Sequence, residues 1–128
     1  MTKIYLAGGM KSDWQHIVIN KYYNNSDAIF INPQNHGLNN PKLYTTWDLH
    51  GVKQCDILFG YMEEINPSGY GLAAEIGYAK AMGKTIILVD ERSGVDDAFK
   101  YKYAFIHNIA DVVFDNLDEG MDYLDTFL

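Results

Sequence analysis

Cysteine is almost missing from this chain of 128 residues. The single one, Cys55, excludes an internal disulfide, and the apolar run Ile57-Leu58-Phe59 beside it marks a buried structural thiol in a reducing compartment, the cytoplasm. Basic residues are also scarce: 10 Lys and Arg stand against 17 Asp and Glu, for a formal charge of −7, and the lysines do not cluster. Such a chain repels a polyphosphate backbone, so nucleic-acid polymers are not expected partners. Small nucleosides and nucleotides stay open, because a pocket needs only a few local donors. No apolar run approaches the roughly 20 residues that cross a bilayer, and Met1 to Leu6 lacks the long apolar stretch of a signal peptide, which argues against export and membrane insertion. His16, His36, His50 and His107 are scattered without an i+3 or i+4 pair, so neither a metal site nor a resident cofactor is expected. A Gly-x-Ser-x-Gly elbow, a P-loop, internal repeats and low-complexity tracts are missing as well.

What is present is a 48% hydrophobic content, enough for one substantial core, and we take residues 1–128 as one domain. Lys3 to Ala7 reads as a first strand closed by the turn Gly8-Gly9. Ser12 to Gln15 has capping-box spacing, and Trp14, Ile17, Val18 and Tyr22 recur at helical period behind it. Ala28 to Ile31 gives a second strand. The Asn-, Gly- and Pro-rich segment Pro33 to Leu43 is expected to be a long loop. Beyond it, Thr45 to Gln54 predicts a helix, Asp56 to Phe59 a strand, and Gly71 to Met82 a helix with Gly83 at its C′ position. Thr85 to Val89 is a continuous apolar run of the kind buried on both faces of a parallel sheet. Asp96 to Ile109 is ambiguous and partly helical, Asp111 to Phe114 supplies a fifth strand, and Asn116 to Glu119 caps a last helix with Leu117, Met121 and Leu124 on one face. The alternation predicts an α/β fold: a doubly wound, flavodoxin- or Rossmann-like, five-stranded parallel sheet with helices on both faces and a ligand site outside the carboxyl ends of its strands.

Glu75 is the most informative residue, because it shares a helical stripe with Leu72, Ile76 and Ala79 and has no cation at i±3 or i±4. Either a partly desolvated carboxylate with a raised pKa interrupts the buried face, or the helix phase is displaced and Glu75 is an ordinary surface residue. Gly69 and Gly71, with Ala73 and Ala74, leave the helix start nearly bare, which suits close approach of a ligand or simply close packing. Asp48 completes a capping-box spacing with Thr45, so a structural role competes with a functional one. Tyr5 inside the first strand is expected in the core, with its hydroxyl toward the strand ends. Asp56, opening a strand, reads as a turn or cap residue. Gly69-Tyr70-Gly71-Leu72-Ala73-Ala74, with Asp90 downstream, meets a dinucleotide-binding pattern, but some eight residues separate it from the preceding strand where that pattern needs an immediate turn.

Three segments together carry a resemblance: Lys3-Ile4-Tyr5-Leu6-Ala7-Gly8-Gly9; Asp48-Leu49-His50-Gly51-Val52-Lys53-Gln54-Cys55-Asp56-Ile57-Leu58; and Gly71-Leu72-Ala73-Ala74-Glu75-Ile76-Gly77-Tyr78-Ala79 followed by Gly83-Lys84. They are similar to the nucleoside 2-deoxyribosyltransferase family over about two-thirds of the chain, with the stretch beyond Asp90 matching poorly. The resemblance implies that Glu75 is the nucleophile that takes up a 2-deoxyribosyl group as a covalent ester before a second base, or water, accepts it. It implies further that Tyr5 orients Glu75, that Asp48 contacts the base and helps move its proton, and that Gly8 and Gly9 floor the pocket. Gln34 or Asn35 would touch the base, and a neighbouring subunit of a homo-oligomer would complete the site. Gly69 stands where the transferases carry an aspartate. Pro67-Ser68 is instead similar to related deoxynucleoside 5′-monophosphate N-hydrolases, in which serines of this loop bind phosphate, with Lys11 and Ser12 as further phosphate contacts. A nucleotide-binding module in which Glu75 holds a ribose hydroxyl is the non-enzymatic alternative.

Overall fold

The computed structural model describes residues 1–67 and 69–128. Five strands carry the apolar runs: β1 (Thr2–Gly8), β2 (Ala28–Ile31), β3 (Ile57–Met62), β4 (Thr85–Asp90) and β5 (Val112–Phe114). They form one all-parallel sheet in the order β2-β1-β3-β4-β5. The chain leaves β1 toward β2 on one side and enters β3 on the other, so the winding direction reverses between β1 and β3. In open α/β sheets that reversal opens a crevice at the carboxyl ends of the two strands.

Successive residues of a strand face opposite sides of the sheet, and the core divides accordingly. Ile4, Leu6, Phe59, Ile87 and Val89 pack under α1 (Trp14–Lys21) and α6 (Leu117–Asp125). Tyr5, Ala7, Leu58, Ile86 and Leu88 pack under α2 (Pro41–Gln54), α3 (Tyr70–Ala81), α4 (Asp97–Lys102) and α5 (Ala104–Ile109). Because β3 and most of β4 are buried on both faces, their sequences are unbroken apolar runs rather than alternating ones. Gly83 ends α3 with φ +74°, the left-handed C′ conformation expected of it. Asn116 caps α6 by accepting from Glu119 N at 2.9 Å, and Asp56 ties β3 to β1 by accepting from Lys3 N at 2.8 Å. Cys55 is fully buried, and burial pushes its thiol up to about 11, as suits an inert core residue.

Three local expectations change. The segment Pro33 to Leu43 is not one loop: Pro33–His36 forms a 3-10 turn capped by Asn32, and α2 already begins at Pro41. Asn40 caps α2, accepting from Lys42 N at 2.9 Å, so the Thr45 to Asp48 spacing lies inside the helix and caps nothing. Ser12 does not cap α1 either: its hydroxyl donates to Glu63 Oε1 at 2.6 Å, and Asp13 occupies the cap position without a side-chain bond. Between the end of β3 at Met62 and the start of α3 at Tyr70 there is no immediate turn, which removes the dinucleotide pattern.

Candidate active site

The first residue pair of the site is set by strand and helix phase. Tyr5 points from β1 toward the α2/α3 layer, and Glu75 sits one helical turn beyond Leu72, whose side chain is buried on that same layer. The Tyr5 hydroxyl donates to Glu75 Oε2 across 70 residues of sequence. Gly51 of α2 lets the tyrosine ring lie flat beneath it: a Cβ at that position would stand 2.9 Å from Tyr5 Cε2. Burial pushes the Glu75 carboxyl up to about 7; the Tyr5 hydrogen bond opposes the rise and the nearby Asp48 adds to it. Burial and the Glu75 carboxylate hold the Tyr5 hydroxyl far above its ordinary range, so it remains a donor throughout the physiological range. Glu75 is therefore half-buried and desolvated, and the helical stripe was in phase.

Asp48, from the middle of α2, faces the same space. Its Oδ1 lies 3.1 Å from His36 Nε2. Since His36 Nδ1 accepts the Leu38 N–H at 2.8 Å, the neutral ring carries its proton on Nε2 and donates to Asp48. Burial raises the Asp48 carboxyl, with His36 pulling the other way. Sequence reasoning passed over His36. No periodic rule links it to a carboxylate twelve residues on, because the 3-10 turn that brings them together has only the composition of a loop in the sequence.

Two cavities surround these groups. A recess of about 140 Å³ is lined by Tyr44, Thr45, Asp48, Leu49, Gly71, Ala74 and Glu75. A cleft of about 470 Å³ is lined by residues including Met10, Gln34, His36, Leu38, Tyr44 and Asp48. Among the described residues, no Lys or Arg lines either one. Glu75, Asp48, Gly71 and Gln34 are thus brought together. The amide of Gln34 is occupied, however: Nε2 donates to Met10 O at 3.3 Å and Oε1 accepts from Asn32 at 3.2 Å. Asn35 is exposed and lines neither cavity.

Other candidates lie beside the cavities rather than on them. Gly8 packs against Tyr61 O and the Trp14 ring, while Gly9 abuts Asn66 and accepts at its carbonyl from Trp14 Nε1 and Gln15 Nε2. Gly69 precedes α3 and faces the Tyr103 hydroxyl. Ser68 lies outside the described residues. Ser12, paired to the Glu63 carboxylate, presents that acid where a phosphate contact was expected. Asp90 is also spent: its carboxylate accepts from Arg92 N, Ser93 N and Ser93 Oγ and pairs with His107 Nε2. Among the described residues no group of three or more His, Cys, Asp or Glu side chains converges on a metal position. No helix among them is long and apolar enough to cross a membrane.

A doubly wound sheet with a desolvated glutamate, a tyrosine donor and a second carboxylate at one recess defines a class of small-molecule site, and the sequence comparison identifies the family. The chain belongs to the nucleoside 2-deoxyribosyltransferase-like family, matched over residues 1–93. A search of proteins with curated functions finds no significant match. Among solved structures, a conserved protein from Enterococcus faecalis V583 is similar with a TM-score of 0.78 at 19% identity, covering 100% of this chain and 99% of the other. A 2-deoxyribosyltransferase from Leishmania mexicana is similar with a TM-score of 0.73 at 18% identity, covering 97% of each chain. The CMP N-glycosidase of Clostridium botulinum follows with a TM-score of 0.62 at 22% identity, covering 98% of this chain and 99% of the other.

Proposed function

We propose that this protein cleaves the N-glycosidic bond of 2-deoxyribonucleosides through a covalent ester on Glu75 and passes the sugar to a second base. The observation that carries the reading is Glu75 itself, a half-buried carboxylate with, among the described residues, one hydrogen-bond donor and no cation, opening on a recess that also holds Asp48. A desolvated carboxylate is poorly stabilised as an anion, and it loses that charge when it forms a neutral ester. In the first step a Glu75 oxygen bonds to the anomeric carbon while the bond to the base nitrogen breaks, its electron pair leaving with the base. Asp48 supplies the proton that the departing ring takes up, and in the second step removes one from the incoming base as its nitrogen displaces Glu75. Tyr5 donates to Oε2 and so leaves Oε1 as the attacking oxygen. No resident cofactor enters this scheme.

The absence of Lys and Arg from the described lining of both cavities favours an uncharged nucleoside over a 5′-monophosphate. Hydrolysis differs from transfer only in the acceptor. A neighbouring copy in a homo-oligomer is the expected cover of the recess.

The test is to incubate the protein with a 2-deoxyribonucleoside or its 5′-monophosphate, with and without a second free base, and to separate the products. A new nucleoside or nucleotide formed from the added base establishes transfer, and free base with deoxyribose, or with deoxyribose 5-phosphate from the monophosphate, establishes hydrolysis. Turnover of neither substrate, with ligand affinity merely weakened in Glu75→Ala, would leave a binding module instead.

A further inference from the structure

Two unequal cavities meet at one aromatic side chain. The recess over Glu75, about 140 Å³, is smaller than the roughly 300–1,000 Å³ of ordinary small-molecule sites and holds a single ring. The adjoining cleft, about 470 Å³, has room for a larger one. A pentose must present its anomeric carbon to Glu75, so it takes the recess, and the base then takes the cleft. The bond between them crosses the boundary, where only Tyr44 and Asp48 line both spaces among the described residues.

Tyr44 lies one turn before Asp48 on α2, which puts the two side chains on one face of the helix. Tyr44 is 37% exposed. Among the described residues, no second aromatic ring packs on it and no group hydrogen-bonds its hydroxyl, whereas the neighbouring Trp47 is occupied edge-on by His36 at 4.9 Å. A large, partly exposed aromatic on a fourteen-residue helix, stacked on no other ring and with its hydroxyl unpaired among the described residues, is set up to pack against a flat ligand.

We propose that Tyr44 is the base platform of the site and a specificity-determining residue, its ring lying against the nucleobase as that base enters and leaves the cleft. The proposal rests on the glycosyl-transfer reading for the placement of pentose and base. Its chemistry is that of stacking: the π face carries the interaction, the hydroxyl does not, and a two-ring purine overlaps the platform more than a pyrimidine. Truncating such a platform costs on the order of tenfold in affinity for the base.

The experiment compares wild type with Tyr44→Phe, Tyr44→Leu and Tyr44→Ala, each checked for folding by circular dichroism. It reads the Kd of free adenine and free cytosine by calorimetry, and KM and kcat with 2′-deoxyadenosine and 2′-deoxycytidine. Tyr44→Ala is expected to weaken adenine and raise the KM for 2′-deoxyadenosine by about tenfold, with a smaller effect on cytosine and its nucleoside and little change in kcat. Tyr44→Phe should match wild type and Tyr44→Leu should fall between. An unchanged adenine Kd in Tyr44→Ala overturns the proposal, and so does a Tyr44→Phe variant as weak as Tyr44→Ala. Equal losses for purine and pyrimidine overturn the specificity role. If wild type binds adenine through Tyr44 yet turns over no nucleoside, the transfer reading fails alone. If it turns over nucleosides with Tyr44 irrelevant, the platform fails alone, and if it neither binds bases nor turns over nucleosides, both fail.

Discussion

Glu75→Gln should abolish turnover and stabilise the protein at the same time, with the gain visible only above mildly acidic pH. The carboxyl stands at about 7 in the folded protein against 4.5 in an ordinary setting. Ionising it in place therefore costs about 3 kcal/mol more than ionising it in the unfolded chain. The sign follows from proton binding. Between pH 4.5 and about 7 the folded protein keeps a proton that the unfolded chain has released, so stability falls as pH rises through that window and stays reduced above it. The glutamine amide does not titrate, and its carbonyl oxygen still accepts from the Tyr5 hydroxyl.

Urea and thermal unfolding of wild type and Glu75→Gln at pH 5 and pH 8 would measure the difference. At pH 5 the variant should be ahead by less than about 1 kcal/mol. At pH 8 the lead should approach about 3 kcal/mol, which for a domain of this size is on the order of 10 °C in Tm. Activity should drop by orders of magnitude, since a neutral amide is a poor nucleophile. A variant that is less stable at pH 8, or whose lead does not grow with pH, would refute the reasoning. It would mean that the carboxylate is already compensated in the folded protein.

Two further outcomes follow from the same bonds. Tyr5→Phe removes the donor to Glu75, so the carboxyl rises above about 7 and the acid limb of the pH–rate profile moves to higher pH. A rise of one pH unit costs nearly tenfold in rate well below the midpoint, recoverable in alkaline buffer, and an unmoved limb would remove Tyr5 from the mechanism. Asp90→Asn tests the cluster at the end of β4. Burial pushes the Asp90 carboxyl up, but the hydrogen bonds from His107, Ser93 and Arg92 outweigh it and hold the group below its ordinary 3.8. That stability is present above pH 3.8 and is lost as pH falls through the lower folded value, so the variant should be about 2 kcal/mol less stable at pH 7, with the gap closing toward pH 2 in urea titrations. A gap that is constant with pH would contradict it.

The sheet was legible because a parallel strand buried on both faces has nothing but apolar residues to offer, as in Thr85 to Val89 and in β3. Glu75 was legible for the converse reason: a carboxylate in phase with Leu72, Ile76 and Ala79 breaks a stripe that the core requires. The misread segments share one cause, which is that a polar side chain near a helix start has more than one partner available to it. Asn40-Pro41 looked like loop punctuation, yet Asn at the cap and Pro at the first position begin a helix equally well. Ser12 had the spacing of a cap, but Glu63, 51 residues away, takes its hydroxyl. The hydrogen-bonded pairs of the candidate site, Tyr5 with Glu75 and His36 with Asp48, exist only once β1, α2 and α3 are packed. Spacing along the chain carries no trace of them.

In the proposed reaction transfer and hydrolysis would share the ester on Glu75, so the balance between them would depend on which nucleophile reaches it once the first base has left. Leu49, Ala74 and Gly71 give the recess one apolar wall, while Tyr44 and Thr45 supply its uncharged polar side chains. Tyr44 and Asp48 line both the cleft and the recess, and on the proposed reading a second base would be held there by the ring and have its proton accepted. Water gains nothing from an aromatic platform. At fixed donor concentration, the ratio of new nucleoside to free deoxyribose should therefore rise in proportion to the concentration of added base until the cleft fills, and Tyr44→Ala should flatten that slope. A ratio that ignores the added base would make the protein a hydrolase. A slope that is steep but insensitive to Tyr44 would place the acceptor elsewhere in the cleft.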